Sequence, residues 1–176
     1  MIAKTCKAVN REEFEKLYEQ SRVIDKEAYS EEFKGSENMA RARYEKCMEH
    51  MIGVFNEDNN LIGHMVIFPI SDGLREKIYN SNVVIDDEIE PDDIVDCRQS
   101  YTLLVMSVAI LKEYRDTEAI KLLINEYGWY LIERAEHIKE VIAETISTDG
   151  EKLFRRLGFK EAKQYKDGYK LFKYEV

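Results

Sequence analysis

An apolar run extends from Leu103 to Leu111, interrupted only by Ser107, and shows no alternation of apolar and polar residues. Such a run predicts a strand that is buried on both faces, with Ser107 as part of the core. Beyond residues 112–115 the apolar residues recur at helical spacing, which predicts a long amphipathic helix from about Thr117 to His137. Its predicted inner face comprises Ile120, Leu123, Tyr127, Leu131 and Ala135, and one of Trp129 and Tyr130 is also expected to be core.

The N-terminal half predicts a strand, two helices and a hairpin. Residues Lys4 to Val9 are compatible with a short strand, and Asn10 with Glu13 three positions later forms the signature of a helix N-terminus. A second helix is predicted from Asn38 to Glu49. The β-rich runs Met51–Phe55 and Leu61–Phe68 enclose an Asn- and Asp-rich turn, which indicates a hairpin.

The C-terminal half predicts smaller elements around the buried strand. They are a short helix at Leu74–Tyr79, a strand at Val141–Ile146, a helix at Glu151–Arg156 that ends at Gly158, and a hairpin over Phe159–Glu175 that turns at Asp167-Gly168. We find no internal repeat or low-complexity linker. The order of elements predicts one domain over residues 1–176, with a mixed αβ sheet layered with helices.

Composition excludes several classes of protein. The 26 basic and 35 acidic residues give a net charge of −9, which argues against broad binding to nucleic acids or anionic membranes. Cys6, Cys47 and Cys97 are widely spaced and are read as free thiols of a reducing compartment. The N-terminus lacks the apolar core of a signal peptide, and no apolar run has the length of a membrane span, so a cytoplasmic location is expected.

Other constellations of reactive residues do not form motifs. His50, His64 and His137 lie on different predicted elements without ligand spacing, so no metal site is predicted, and His64 is expected to be a packed or edge residue. The acidic segment from Asp86 to Asp96 lacks the glycine and the alternation of a calcium loop. A solvated acidic loop is therefore favoured over a metal site.

The order of the elements and the stretch from Leu103 to Phe159 resemble the GNAT superfamily of N-acetyltransferases. Arg115 matches the first position of the R/Q-x-x-G-x-G/A loop of that superfamily, whereas Glu118 and Ile120 replace its glycine and its glycine or alanine. Leu157-Gly158-Phe159 resembles the end of the superfamily's late helix, although it is also ordinary helix-stop chemistry. The resemblance implies a mixed, mostly antiparallel sheet flanked by helices.

The resemblance also implies a site for acetyl-coenzyme A as co-substrate. Its pantetheine arm would pair with the central strand, and its pyrophosphate would rest on the start of the following helix. The implied binding residues are Val108, Ala109, Ile110, Arg115, Asp116, Thr117, Glu118, Ala119 and Ile120. Asp116 and Glu118 offer carboxylates to the same amides, so a self-capped helix that no longer binds the cofactor is the competing interpretation.

The expected activity is transfer of an acetyl group to a small amine or a peptide amine by direct attack. Phe154 aligns with the tyrosine that protonates the leaving thiolate in many members, and Ser147 stands where others carry an asparagine. Glu144 is a candidate general base, although a strand carboxylate is more often merely exposed. The acidic segment favours a cationic acceptor if it borders the entrance. The alternative function is a ligand-binding or interaction module that has lost acetyl transfer.

Overall fold

A computed structural model of the chain describes residues 1–7, 10–30, 36–134 and 136–176. The α-helices of the described residues are α1 (Arg11–Ala28), α2 (Glu37–Cys47), α3 (Asp72–Asn80), α4 (Ala119–Arg134) and α5 (Thr148–Arg156). The strands are β1 (Ile2–Thr5), β2 (Met51–Phe55), β3 (Leu61–Pro69), β4 (Thr102–Ile110), β5 (Glu140–Thr145), β6 (Lys160–Gln164) and β7 (Lys170–Glu175).

The strands form one seven-stranded sheet in the order β1-β2-β3-β4-β5-β7-β6. β4 and β5 run parallel, whereas the pairs β1–β2, β2–β3, β5–β7 and β6–β7 are antiparallel. The prediction of a mixed, mostly antiparallel sheet with helices is therefore confirmed.

The chain packs as two compact units, of which the first comprises Met1–Ile67 and Ser107–Glu133. Helix α1 begins where the Asn10 side chain accepts a hydrogen bond from the Glu13 amide, at 2.9 Å. Gly63 of β3 lets β4 approach closely, because a Cβ atom there would lie 2.8 Å from the Ile110 side chain. This close approach places the end of β4 directly beside β3.

The second unit comprises Phe68–Met106 and Arg134–Val176. Its core includes the buried residues Val141, Ile142 and Ala143 of β5. The β6–β7 hairpin turns at Gly168, whose φ of 91° is readily adopted only by glycine. Helix α5 is followed by Gly158, with φ of 87°, as its helix-stop pattern predicts.

Some boundaries differ from the sequence-based expectations. The first strand is Ile2–Thr5 rather than Lys4–Val9, and Val9 lies outside the described residues. The long helix begins at Ala119 and ends at Arg134, before the predicted limit at His137. Both corrections concern element ends, where local patterns are weakest because fraying and caps decide the last residues.

The inner face of α4 is largely as expected. Leu123 and Tyr127 are buried, Ile120 and Leu131 are only half-buried, and Ala135 lies outside the described residues. Tyr130 is the core residue of the aromatic pair, since Trp129 is 64% exposed. Within the described residues, no helix has both the length and the apolar character needed to cross a bilayer.

Candidate functional site

The first half of β4 is hydrogen-bonded to β5, and this pairing does not continue into the second half of the strand. The parallel register with β5 covers Thr102–Val105 paired with Glu140–Ala143, and β4 continues for five residues to Ile110. At its end, the Leu111 amide donates to the Ile62 carbonyl of β3 at 2.9 Å. Main-chain groups of successive strand residues alternate between the two edges, so Val108 and Ile110 present theirs to the edge opposite β3.

The phenol of Tyr29 lies on this edge. Tyr29 caps the C-terminus of α1, and its hydroxyl donates to the Val108 carbonyl at 3.2 Å and accepts from the Val108 amide, also at 3.2 Å. The same hydroxyl is 3.3 Å from the Ser107 hydroxyl. A side chain therefore occupies both main-chain groups that a neighbouring strand would otherwise pair.

Arg115 binds the same strand two residues further on. Its Nε donates to the Ile110 carbonyl at 3.0 Å, and its guanidinium lies 3.9 Å from the Glu27 carboxylate. The side chain is 49% exposed, so the guanidinium can still meet an anion from solvent. The residue that sequence reasoning assigned to the pyrophosphate loop is thus attached to the open end of β4.

A hydroxyl group, rather than a carboxylate, caps the N-terminus of α4. Thr117 Oγ1 donates to the Tyr114 carbonyl at 2.7 Å and accepts from the Ala119 amide at 3.2 Å. The competing interpretation had the Asp116 and Glu118 carboxylates as the cap, but both side chains are exposed and the Thr117 hydroxyl binds the Ala119 amide instead. A hydroxyl satisfies the amide without adding negative charge at the helix start.

This half of the chain fits an acyl-coenzyme A in part. The amide and the carbonyl of Val108 are the groups that an added strand-like arm would use, and such an arm would replace the Tyr29 hydroxyl that now binds both. From Lys112 to Lys121, three basic and three acidic side chains balance one another, so the loop attracts a pyrophosphate less strongly than a purely basic loop would. The main-chain groups of Val108 therefore suit a pantetheine arm better than the charges of the loop suit the phosphates.

A buried polar cluster lies behind the Tyr29 contact. His64 is fully buried, and its Nε2 lies 3.1 Å from the Asp25 carboxylate and 3.1 Å from the Ser107 hydroxyl. The expectation of a packed histidine is confirmed. Ser107, however, is half-buried and hydrogen-bonded, so its assignment to the apolar core is wrong.

Asp25 is the anion of this cluster. Tyr44 donates to its carboxylate at 3.0 Å, and the Arg22 guanidinium is 3.6 Å away. Burial acts to raise the pKa of Asp25, but His64, the Tyr44 hydrogen bond and Arg22 together hold it below the usual value. The carboxylate is therefore charged inside the protein, where it fixes His64.

Glu144 is the candidate base of the second unit. It is half-buried near the end of β5, and the Tyr165 phenol donates a hydrogen bond to it. Burial raises the pKa of Glu144 to about 7, and the negative charges of Asp86 and Asp167 add to this effect against the opposing hydrogen bond from Tyr165. A carboxyl group with this pKa can accept a proton at neutral pH.

Ser147 was the second catalytic candidate, and Phe154 aligns with the superfamily's tyrosine; the contacts of both are structural. The Ser147 hydroxyl accepts from the Gly150 amide at 3.1 Å and so caps α5. Phe154 is buried, with its ring centroid 5.0 Å from that of Phe159 and 6.5 Å from that of Phe172. Helix α5 therefore offers a core aromatic where a phenol was sought.

The carboxylates of the acidic segment from Asp86 to Asp96 have different roles. Asp86 is close enough to Glu144 to affect its pKa, while Asp93 accepts from the Glu90 amide at 3.0 Å in a local cap. The side chain of Asp87 lies outside the described residues. Across the described part of the chain, no group of three or more His, Cys, Asp and Glu side chains is arranged to hold a metal ion.

Sequence reasoning missed Tyr29 and Tyr165. Neither residue stands in a motif, because each is joined to its partner by folding: Tyr29 lies 79 positions from Val108, and Tyr165 lies 21 positions from Glu144. An isolated tyrosine at the end of an amphipathic helix has no local signal that distinguishes it from a surface aromatic.

No protein-family model and no curated protein matches the chain. Solved structures match it over nearly its whole length. The loading GNATL domain of CurA from Lyngbya majuscula has a TM-score of 0.71 at 13% identity, with 98% of this chain and 96% of that chain covered. A mosquito arylalkylamine N-acetyltransferase-like protein, 5b, has a TM-score of 0.66 at 11% identity, with 99% of both chains covered.

A third similar structure contains coenzyme A. The PaiA N-acetyltransferase from Thermoplasma acidophilum, solved in complex with coenzyme A, has a TM-score of 0.57 at 17% identity, with both chains covered completely, at 100%. Identities this low establish the architecture alone. The chain therefore has the fold of the GNAT acetyltransferases.

Proposed function

We propose that the protein is an acyl-coenzyme A dependent N-acyltransferase whose acceptor is an amine. The observation that carries the proposal is the open edge of β4, where the amide and carbonyl of Val108 lie outside the sheet ladder and bind a side chain. An extended pantetheine arm can pair with such groups as an added strand does. Acetyl-coenzyme A is the co-substrate proposed, in keeping with the fold.

The residues proposed to hold the co-substrate belong to the first unit. Val108, Ala109 and Ile110 would hold the pantetheine arm, and Arg115 with the loop residues Asp116, Thr117, Glu118, Ala119 and Ile120 would hold the phosphates. Bound there, the co-substrate supplies an activated acyl group in thioester linkage. The Val108 amide is the donor proposed to polarise the thioester carbonyl, since a fixed N–H stabilises the charge that develops on that oxygen.

Glu144 is proposed as the base that accepts the proton of the attacking amine. Its pKa of about 7 suits proton transfer at neutral pH better than an ordinary carboxylate does. The negative charges of Asp86 and Asp167 beside it favour an acceptor that carries positive charge, such as a polyamine or a basic peptide end. We assign no chemical step to Ser147, because its hydroxyl caps α5.

Acetyl-coenzyme A is expected to raise the melting temperature of the protein, because a ligand that binds only the native state stabilises it by mass action. The shift should fall as salt rises from about 0.05 to 0.5 M, since part of the affinity is charge pairing. Arg115→Gln should reduce the shift, whereas Arg98→Gln should not, because Arg98 is 80% exposed and pairs with Asp96 in the second unit. No shift at millimolar ligand would contradict the proposal.

Glu118→Gly is expected to tighten binding of acetyl-coenzyme A about two- to fivefold, the size of a repulsion between surface charges of ~0.5–1 kcal/mol. Glu118→Gln is the matched variant, because it removes the charge and keeps the side chain. Equal gains in the two variants assign the effect to charge. If only Glu118→Gly tightens binding, the gain comes from the closer approach of the ligand to the backbone that glycine permits. Unchanged affinity in both, measured by calorimetric titration, would place the phosphates elsewhere.

A non-catalytic ligand-binding or interaction module is the second candidate. The balanced charge of the loop and the burial of Phe154 in the core favour it, because both remove features that the superfamily uses for cofactor binding and catalysis. Binding of coenzyme A without transfer to any of a panel of amines would support this function. Release of free thiol from acetyl-coenzyme A with one of those amines would exclude it.

A further inference from the structure

Tyr29 stands where the reacting thioester is proposed to lie. We propose that it is the acid that protonates the departing thiolate, and that Ser107, held by the buried His64 and Asp25, positions it. The inference rests on the function proposed above. It replaces the phenol that α5 lacks, since Phe154 is a core residue.

The hydrogen bonds around Tyr29 are mutually consistent. Its oxygen accepts from the Val108 amide, its proton is directed to the Val108 carbonyl, and the Ser107 hydroxyl lies 3.3 Å away as a second partner. A phenol oxygen accepts two hydrogen bonds and donates one, so all three contacts can exist together. Ser107 then donates to Tyr29.

The buried cluster makes Ser107 a donor. The Asp25 carboxylate can only accept hydrogen bonds, so His64 Nε2, 3.1 Å away, donates to it. The same N–H faces the Ser107 oxygen, also 3.1 Å away, and Ser107 keeps its own proton for Tyr29.

The contact with Val108 brings Tyr29 to the reacting atoms. The amide that the phenol occupies is the one proposed to polarise the thioester carbonyl, and the sulfur of a thioester is two bonds from that oxygen. When the carbonyl oxygen takes the amide, the displaced phenol remains next to the sulfur. Tyr29 as a whole is half-buried.

The amine nitrogen forms a bond to the acyl carbon, the C–S bond breaks, and its electron pair stays on sulfur. The Tyr29 O–H bond then breaks and an S–H bond forms, while the proton lost by the amine passes to solvent. Solvent also returns a proton to the phenolate, so the products are an amide and the free thiol.

A binding cycle tests the contact without any acceptor. Coenzyme A and desulfo-coenzyme A, which lacks the thiol sulfur, are titrated by calorimetry into the wild type and into Tyr29→Phe. The wild type is expected to prefer coenzyme A by about three- to tenfold, the size of one hydrogen bond, and the variant to bind both equally. Both ligands must displace the phenol from Val108, so the cost of this displacement cancels in the ratio of their two affinities.

Two control variants distinguish the loss of the contact between Tyr29 and the sulfur from a loss of folding. Tyr18→Phe removes a phenol that binds Glu37 in the same unit, and should keep the preference. Ser107→Ala keeps the phenol of Tyr29 but removes the hydroxyl that positions it once the ligand has taken the Val108 groups, so the preference should fall. If Tyr29→Phe does not fold, as judged by its melting curve, Ser107→Ala carries the test.

The outcomes are distinct. An equal preference in the wild type and in Tyr29→Phe overturns the role of Tyr29 and leaves the proposed function intact. Binding of neither ligand by the wild type overturns the proposed function, and this inference with it. Once an acceptor is known, Tyr29→Phe should lower kcat tenfold or more with little change in KM, and an unchanged kcat would also overturn the inference.

Discussion

Glu144→Gln is expected to lower the rate of acyl transfer by about 10²- to 10⁴-fold, the usual contribution of a positioned general base. The amide cannot accept the proton of the amine, and it preserves the size and the hydrogen bond of the carboxyl group. In the wild type, kcat/KM should rise with pH through about 7, the pKa of this group, and then level off. The variant should lack this rise, as a pH series with a fixed acceptor would show.

The same group predicts a pH dependence of stability. The folded pKa of about 7 lies above the ordinary value of 4.5, so the folded state holds the proton more tightly than the unfolded state does. The free energy of unfolding contributed by Glu144 is therefore present below about pH 4.5 and is lost as pH rises through about 7, a change on the order of 3 kcal/mol. Glu144→Gln should flatten this decline and be more stable than the wild type at about pH 8.

Glu140 is the matched control, on the same strand. Its carboxylate binds Arg75, the Thr102 hydroxyl at 3.0 Å and the Tyr79 phenol at 3.1 Å. Burial acts to raise its pKa, but these partners lower it on balance, so its contribution to stability is present at neutral pH and is lost in acid. Glu140→Gln should therefore destabilise at neutral pH, by about 2 kcal/mol. If both variants shift stability in the same direction, the assignment of Glu144 is wrong.

Asp25→Ala is expected to cost about 3–5 kcal/mol of unfolding free energy, because it leaves buried positive and polar groups without their anion. Arg22, Tyr44 and His64 all depend on this carboxylate. Asp25→Asn should cost less, since an amide still accepts from Tyr44. Urea unfolding at neutral pH measures both.

The pH dependence and an exposed control complete this test. The pKa of Asp25 is lowered, so its stabilisation is present above the ordinary value of 3.8 and is lost as pH falls through the folded pKa. The difference between the wild type and Asp25→Asn should therefore shrink in acid. Asp58→Ala, at an exposed position of the β2–β3 turn, should stay within about 0.5 kcal/mol of the wild type. A loss below about 1 kcal/mol for Asp25→Ala would contradict the buried arrangement.

Helix starts, turns and the central strand could be predicted because their causes are local. Asn10 caps α1 through an amide three residues away, and Gly168 turns a hairpin through its own backbone angle. The apolar run of β4 indicates burial on both faces at any position in a sheet. These features also carry the resemblance to the GNAT fold, because the order of such elements is a property of the chain itself.

The co-substrate residues were predicted from that resemblance, but their environment was not. Arg115 marks the loop in sequence, yet only folding shows that it binds the Ile110 carbonyl, and that Thr117, not a carboxylate, caps the helix. Hydroxyl and carboxylate caps have similar local signals, so spacing could not choose between them.

The sequence by itself determined the elements of this protein and their order, and its resemblance to the GNAT superfamily led to the strand that we propose for the thioester. The tertiary structure alone decided which polar side chains meet: it brings Tyr29, Ser107, His64 and Asp25 together from three separate elements. It also buries Glu144 beside Asp86 and Asp167, which raises its pKa to about 7. Propensity and periodicity act over a few residues, whereas hydrogen bonding and desolvation depend on which distant side chains folding makes neighbours.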